Sequence, residues 1–137
     1  MVKVKLIKGG KLPEFKTDGA VCLDCYSREE VKIPGHDRAL VPLGFALQLP
    51  QGFEAVIRPR SGLTKNGIDN AIGTIDSDYR GEVMACVINN CDGYYVVMKG
   101  DRVCQMAIRE VPVIQFEIVD ELDETERGSG GFGHTGK

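Results

Sequence analysis

The chain has 137 residues, of which 42% are hydrophobic and 27% charged, and its formal net charge is −3. That is enough for one domain with a substantial core and an ordinary soluble composition. The acidic balance argues against non-specific nucleic-acid binding, which needs a basic surface. No apolar run reaches the length of a membrane span.

Met1-Val-Lys-Val-Lys-Leu-Ile-Lys8 is too short and too charged for a secretory signal, so a cytoplasmic location is expected. Its alternation predicts a strand. Lys8-Gly-Gly-Lys11 then punctuates the chain, followed by Cys22-Leu-Asp-Cys25, formally a C-x-x-C. The cysteines number five, an odd count that favours free thiols over a disulfide framework. No second close Cys or His pair accompanies the first, so inert buried thiols are expected rather than zinc or redox chemistry.

A turn at Pro34-Gly-His-Asp37 precedes Leu43, Phe45, Leu47 and Leu49, which alternate as in a half-buried strand. After Pro50-Gln-Gly52 a strand runs from Phe53 to Arg58, and one short helix starts near Ser61. Val83-Met-Ala-Cys-Val-Ile88 is continuously apolar and predicts a central strand buried on both faces. Val96–Met98, Val103–Ile108 and Ile114–Ile118 complete the strand set, with turns at Cys91-Asp-Gly93 and Lys99-Gly-Asp101 between them. The expected fold is all-β: a distorted jelly-roll sandwich or barrel with at most one short helix and a glycine-rich C-terminal arm. Residues 1–119 form its core. Residues 120–137 are an acidic connector, Asp120–Glu126, and a flexible lid.

Several segments carry chemistry. Pro59-Arg60-Ser61-Gly62-Leu63 sets arginine, hydroxyl and backbone N–H groups at a helix start, suited to an anion, or else is a plain serine N-cap with surface arginines. In Asn70-Ala-Ile-Gly73-Thr74-Ile75-Asp76-Ser77-Asp78-Tyr79-Arg80-Gly81, Asp76 can hold a water as general base. Tyr79 can wall a sugar, and the Asn70 amide can both donate to and accept from a base edge. Asp24 lies in a strand, where a carboxylate is either at an edge or directed at a magnesium ion. Gln105 follows the turn Gly100-Asp101-Arg102. The tail, Arg127-Gly-Ser-Gly-Gly-Phe132-Gly133-His134-Thr135-Gly136, has five glycines among its last nine residues before Lys137, beside a cation, an aromatic ring and two hydroxyls. Such a segment is mobile when free and orders on a ligand.

In order and spacing these segments resemble the five motifs of the trimeric deoxyuridine triphosphate nucleotidohydrolases, the dUTPases: Val21–Cys25, Pro59–Leu63, Gly73–Gly81, Gly100–Gln105 and Arg127–Gly136. The resemblance covers almost the whole chain. It implies hydrolysis of dUTP to dUMP and pyrophosphate by water attack on the α-phosphorus. Such a reaction keeps uracil out of DNA and supplies dUMP for thymidylate synthesis.

By the same resemblance, Asp76 orients the water and Tyr79 packs on deoxyribose. Asn70, with the backbone of Gly73, Thr74 and Ile75, forms a uracil-reading hairpin. Ser61, Gly62 and Gln105 bind phosphate, with Arg60 either touching substrate or orienting the site. Asp24 reaches Mg²⁺ through water, Arg127 approaches the γ-phosphate, Phe132 stacks on uracil, and Gly133, His134 and Thr135 close on the phosphates. A homotrimer with active sites shared between subunits is implied, with no nucleic-acid or membrane partner. The first motif departs from the usual Ala-Gly-aromatic-Asp-Leu, since Cys22 stands at the glycine and Cys25 at the leucine. Rival readings are a dCTP deaminase, which would need a catalytic glutamate near the base and normally lacks such a tail, a non-catalytic nucleotide sensor, and an unrelated jelly roll.

Overall fold

A computed structural model describes residues 1–133. Eleven strands and one helical turn follow the chain: β1 (Lys3–Leu6), β2 (Leu23–Tyr26), β3 (Val31–Ile33), β4 (Asp37–Pro42), β5 (Phe45–Gln48), β6 (Phe53–Arg58), α1 (Ser61–Thr64), β7 (Ile68–Asn70), β8 (Gly73–Ile75), β9 (Met84–Asn89), β10 (Tyr95–Val97) and β11 (Arg102–Glu110). Every named pairing is antiparallel. A four-stranded sheet has the order β2-β11-β6-β8 and a three-stranded sheet the order β4-β9-β7, while β1-β5 and β3-β10 form two ribbons. The all-β expectation with a single short helix therefore holds.

The core between the sheets is drawn from both. Phe45, Ile33, Leu43, Ile57, Met106 and Val87 are among its fully buried side chains. Leu43–Leu47 is buried throughout, so this segment is covered on both faces rather than on one. The opposite correction applies to Val83–Ile88. In β9, Ala85, Val87 and Asn89 are buried while Met84, Cys86 and Ile88 are only partly so. The strand is central in its sheet, but its outer face is only partly covered among the described residues.

The largest departure is at Ile114–Ile118. This segment is not a strand; Ile114, Phe116 and Ile118 are 65%, 94% and 99% exposed. The last strand ends at Glu110; the Val111 N–H still donates to the Gly52 carbonyl at 2.7 Å, and residues 112–119 join no strand among the described residues. A period of two reports a half-buried strand without saying whose sheet buries it.

Two glycines fix how the ribbon meets the body of the fold. Gly10 packs on Gly44, and a Cβ on either would collide with the other's backbone. The Gly44 N–H donates to Glu82 Oε1 at 2.9 Å, and Arg28 binds the same carboxylate through Nε at 2.6 Å and Nη2 at 3.2 Å. The guanidinium, with help from the Gly44 amide, holds the Glu82 carboxyl below its ordinary range against the effect of part burial. Gly10→Ala is expected to cost roughly 1–3 kcal/mol, because backbone cannot yield as a flexible side chain does. A lowered thermal midpoint checks this, and an unchanged one would show that the close approach is dispensable.

All five cysteines are free thiols, as expected. They are not uniformly buried: Cys25 and Cys104 are fully so, Cys22 and Cys86 partly, and Cys91 is exposed.

Candidate active site

The four-stranded sheet aligns segments that are far apart in sequence. Its register places Asp24 opposite Gln105, and Gln105 opposite Arg58. The next row runs Leu23, Met106, Ile57, Gly73. Thus the Asp24, Arg60, Gly73 and Gln105 segments meet at one end of one sheet. The device is strand register, which also decides which face each side chain takes.

Asp24 lies on an edge strand, as a lone strand aspartate should, and its side chain is 15% exposed. Two guanidiniums hold it: Arg102 Nη1 at 3.1 Å from Oδ2, and Arg60 Nε at 3.5 Å from Oδ1. Arg60 Nη1 also donates to the Arg102 carbonyl at 2.8 Å. Arg60 therefore ties the β6 end to β11, and Arg102 is a member of the cluster that the sequence reading missed. Its place within Gly100–Gln105 was the available signal. Gln105 Nε2 donates to the Pro59 carbonyl at 2.8 Å, which fixes the loop entering α1. The cap of α1 is Arg60, with no side-chain cap bond, so Ser61 is not an N-cap. Ser61 and Gly62 are exposed at the start of this turn, and a Cβ on Gly62 would meet open space.

The second group surrounds Asp76. β7 and β8 do not pair with each other: β7 joins β9, and β8 joins β6. Asn70–Gly73 is thus a corner between two sheets rather than a hairpin. The Ala71 N–H continues the β7 ladder to the Cys86 carbonyl at 3.0 Å. Asn70 is buried, with Nδ2 donating to the Ala71 carbonyl at 2.7 Å, while its Oδ1 has no hydrogen-bond partner. A buried acceptor left unpaired costs roughly 1–3 kcal/mol, so this oxygen is suited to a donor brought by a ligand.

A cavity of about 190 Å³ opens beside this corner, lined by Ile57, Gly73–Asp76, Tyr79 and Glu82–Met84. Tyr79 forms one wall. Its hydroxyl donates to the Glu82 carbonyl at 3.1 Å, and its ring lies over Gly81, where any Cβ would collide with it. Gly81 is therefore required by the ring's position, and the residue after it is the Glu82 that Arg28 binds. Asp76 follows β8, and its carbonyl accepts from the Tyr79 N–H at 3.1 Å, closing the turn that places both side chains. Asp76 also borders a larger open groove of about 890 Å³ that reaches Phe53, Arg80 and Val111–Val113.

The described part of the tail, to Gly133, is not brought to either group. Arg127 Nε donates to the Gly130 carbonyl at 2.8 Å within its own turn, and Phe132 is wholly exposed. Gly133 is exposed as well, and His134 and Thr135 lie outside the described residues. Among the described residues no three His, Cys, Asp or Glu side chains are grouped to hold a metal ion. Asp24 remains the candidate carboxylate, held between two guanidiniums. Mg²⁺ commonly takes one or two carboxylates and keeps waters and substrate phosphates as its other ligands, so a lone carboxylate beside cationic side chains fits a metal delivered with a polyphosphate.

The family model described as dUTPase matches residues 8–136. A deoxyuridine 5′-triphosphate nucleotidohydrolase of Finegoldia magna is 44% identical, covering 98% of this chain and 99% of its own. One of Maricaulis maris is 46% identical, covering 98% and 95%. Among solved structures, a variant dUTPase of Staphylococcus bacteriophage 80alpha with dUpNHpp superposes with a TM-score of 0.94 at 23% identity, covering 100% of this chain and 99% of that one. A variant dUTPase of phage phi11 of S. aureus, described with a structural Mg(II) ion, gives 0.84 at 20% identity, covering 88% and 97%. These two likenesses establish the shared jelly-roll fold.

Proposed function

The chain belongs to the dUTPase family and is a dUTP-hydrolysing enzyme, and from that premise we propose how its residues divide the work. The observation that carries the reading is the sheet register, which sets Asp24, Gln105, Arg58 and Gly73 in adjacent rows. Uracil enters beside the Asn70–Gly73 corner. There the unpaired Asn70 Oδ1 accepts a donor from it, and the backbone of Gly73, Thr74 and Ile75 reads its edge. Cytosine would leave donors facing donors at such an edge.

Tyr79 forms the wall against the sugar and leaves no room for a 2′-hydroxyl. Asp76 holds a water and takes its proton at a carboxylate oxygen as the water attacks the α-phosphorus, and pyrophosphate leaves. Ser61, Gly62 and Gln105 hold phosphate oxygens, and Arg60 orients Asp24. Asp24 would hold Mg²⁺ through water, and the ion, when bound, offsets the charge of the triphosphate. Arg127, Phe132, Gly133, His134 and Thr135 close over the bound nucleotide, adding charge stabilisation and excluding water.

A homotrimer with shared sites belongs to this reading. Val113, Phe116, Ile118 and Leu122 are 90%, 94%, 99% and 86% exposed in the single chain, more apolar surface along one segment than a monomer leaves in water. β1 is exposed along its whole length. Residues 111–119 then complete a neighbour's core, so that 1–119 act as the folded unit and 120–137 as connector and lid. The substrate is the free nucleotide, the enzyme is cytoplasmic, and no helix among the described residues is long and apolar enough to cross a membrane.

The deaminase reading loses its candidates. Glu54 is paired with Arg109 at 3.4 Å, and Glu82 with Arg28. The deciding experiment incubates the protein with each nucleoside and deoxynucleoside triphosphate plus Mg²⁺ and assays pyrophosphate. Release from dUTP alone is expected, whereas ammonia from dCTP would overturn the assignment. Tyr79→Ala is expected to lower the dUTP-to-UTP ratio of kcat/KM about 10- to 100-fold by opening space for the 2′-hydroxyl. An unchanged ratio would remove Tyr79 from sugar selection.

A further inference from the structure

One buried pair is used by none of this chemistry. Cys25 on β2 and Cys104 on β11 are direct Cα partners in the sheet, and each is 0% exposed. The Cys25 thiol donates to the Leu23 carbonyl at 3.7 Å. The pair borders a β-bulge between Arg102 and Cys104, with the ladder regular from Cys104 to Met106; regularly opposed residues of antiparallel strands have Cα atoms about 4.5–5.5 Å apart, inside the range of about 4.4–6.8 Å that a disulfide spans without moving the backbone. The C-x-x-C spacing invites pairing of Cys25 with Cys22, but the register gives Cys25 a different partner.

We propose that Cys25 and Cys104 form a dithiol modification site, converted to a cross-strand disulfide by low-molecular-weight disulfides, with Cys22 as the thiol that meets the oxidant. Three features support this route. Cys22 is partly exposed where Cys25 and Cys104 are not. β2 is the edge strand of its sheet, and its outer side is covered by one two-bond bridge, Glu14 with Asp24. Edge strands open locally at less cost than central ones, so the buried pair meets Cys22 chemistry when β2 loosens. In a reducing compartment such a pair stays as thiols and responds to oxidation.

The exchange balances at each step. The Cys22 thiolate attacks the small disulfide, forming a mixed disulfide and releasing one small thiolate. Cys25 then attacks the Cys22 sulfur, releasing the second small thiol and leaving a Cys22–Cys25 bond. Cys104 attacks the Cys25 sulfur, and Cys22 leaves as a thiol. The net change oxidises two protein thiols and reduces one small disulfide to two thiols. The new bond joins β2 to β11 one row from Asp24 and Gln105. The inference does not depend on the roles proposed for those residues.

The test treats the full-length protein with oxidised glutathione, quenches by acid, and maps peptides without reduction. A product two hydrogens lighter is expected, containing a Cys25–Cys104 cross-linked peptide that dithiothreitol cleaves. Its thermal midpoint should exceed that of the reduced protein, and Cys104→Ala should abolish the cross-link and the rise in midpoint, stopping the exchange at Cys22–Cys25. Cys22→Ser should slow the reaction at least tenfold without altering the linkage. Oxidation that ends at Cys22–Cys25, or at glutathione adducts with Cys25 and Cys104 still alkylatable after denaturation, would overturn the proposal. An unchanged rate in Cys22→Ser would overturn the relay.

Discussion

Asp76→Asn is expected to lower dUTP turnover by about 10²- to 10⁴-fold, the usual contribution of a positioned general base, while leaving nucleotide affinity within a few-fold of the wild type. The amide is nearly isosteric and keeps the turn, because that turn is closed by backbone, from the Tyr79 N–H to the Asp76 carbonyl. β8 stays paired to β6 through Ala55, Val56 and Ile57, so the cavity wall does not move. What changes is the capacity of one oxygen to take a proton from water. Single-turnover pyrophosphate release and equilibrium binding of a non-hydrolysable analogue separate the two quantities. Near-normal turnover would refute the role, and loss of binding equal to loss of turnover would make Asp76 a binding group instead.

Deleting Arg127–Lys137 is expected to lower kcat by roughly 10²- to 10³-fold, the range seen when a charge-stabilising donor is removed from a closed site. Folding and thermal midpoint should hardly change. From Val111 to the end of the described chain there is no strand, and Arg127 contacts only its own turn among the hydrogen bonds it donates. Arg127→Ala in the intact chain distinguishes charge from closure. If charge dominates, it reproduces most of the loss. If the truncated chain fails to fold, the segment is structural and not a lid.

Much of this was legible in the sequence because the motif residues keep their order and local spacing. The turn that places Asp76 and Tyr79 and the helical turn at Ser61 are both local. Nonlocal facts were not legible. No periodicity reveals that Asp24 faces Gln105, or that Gln105 faces Arg58, since pairing is decided by the packing of whole sheets. The sequence leaves Cys25 an inert buried thiol, whereas the fold sets it opposite Cys104. Val83–Ile88 reads as buried on both faces, and in the single chain one face is buried and the other only partly so. Ile114–Ile118 carries a valid strand pattern with no partner strand among the described residues. Arg102 escaped notice because a charged residue after a turn looks solvated until Asp24 is placed beside it.

The position of β11 bears on how the molecule is made. This strand sits between β2 and β6 in the larger sheet, yet it is the last strand synthesised. On the ribosome neither neighbour can complete its pairing until Glu110 has emerged, so β2 and β6 must wait with unpaired edges. Pairings between residues so distant in sequence form slowly, because the loop must close before any contact rewards it. Folding is therefore expected to be largely post-translational, and chains cut short before Glu110 should aggregate rather than accumulate as partial domains.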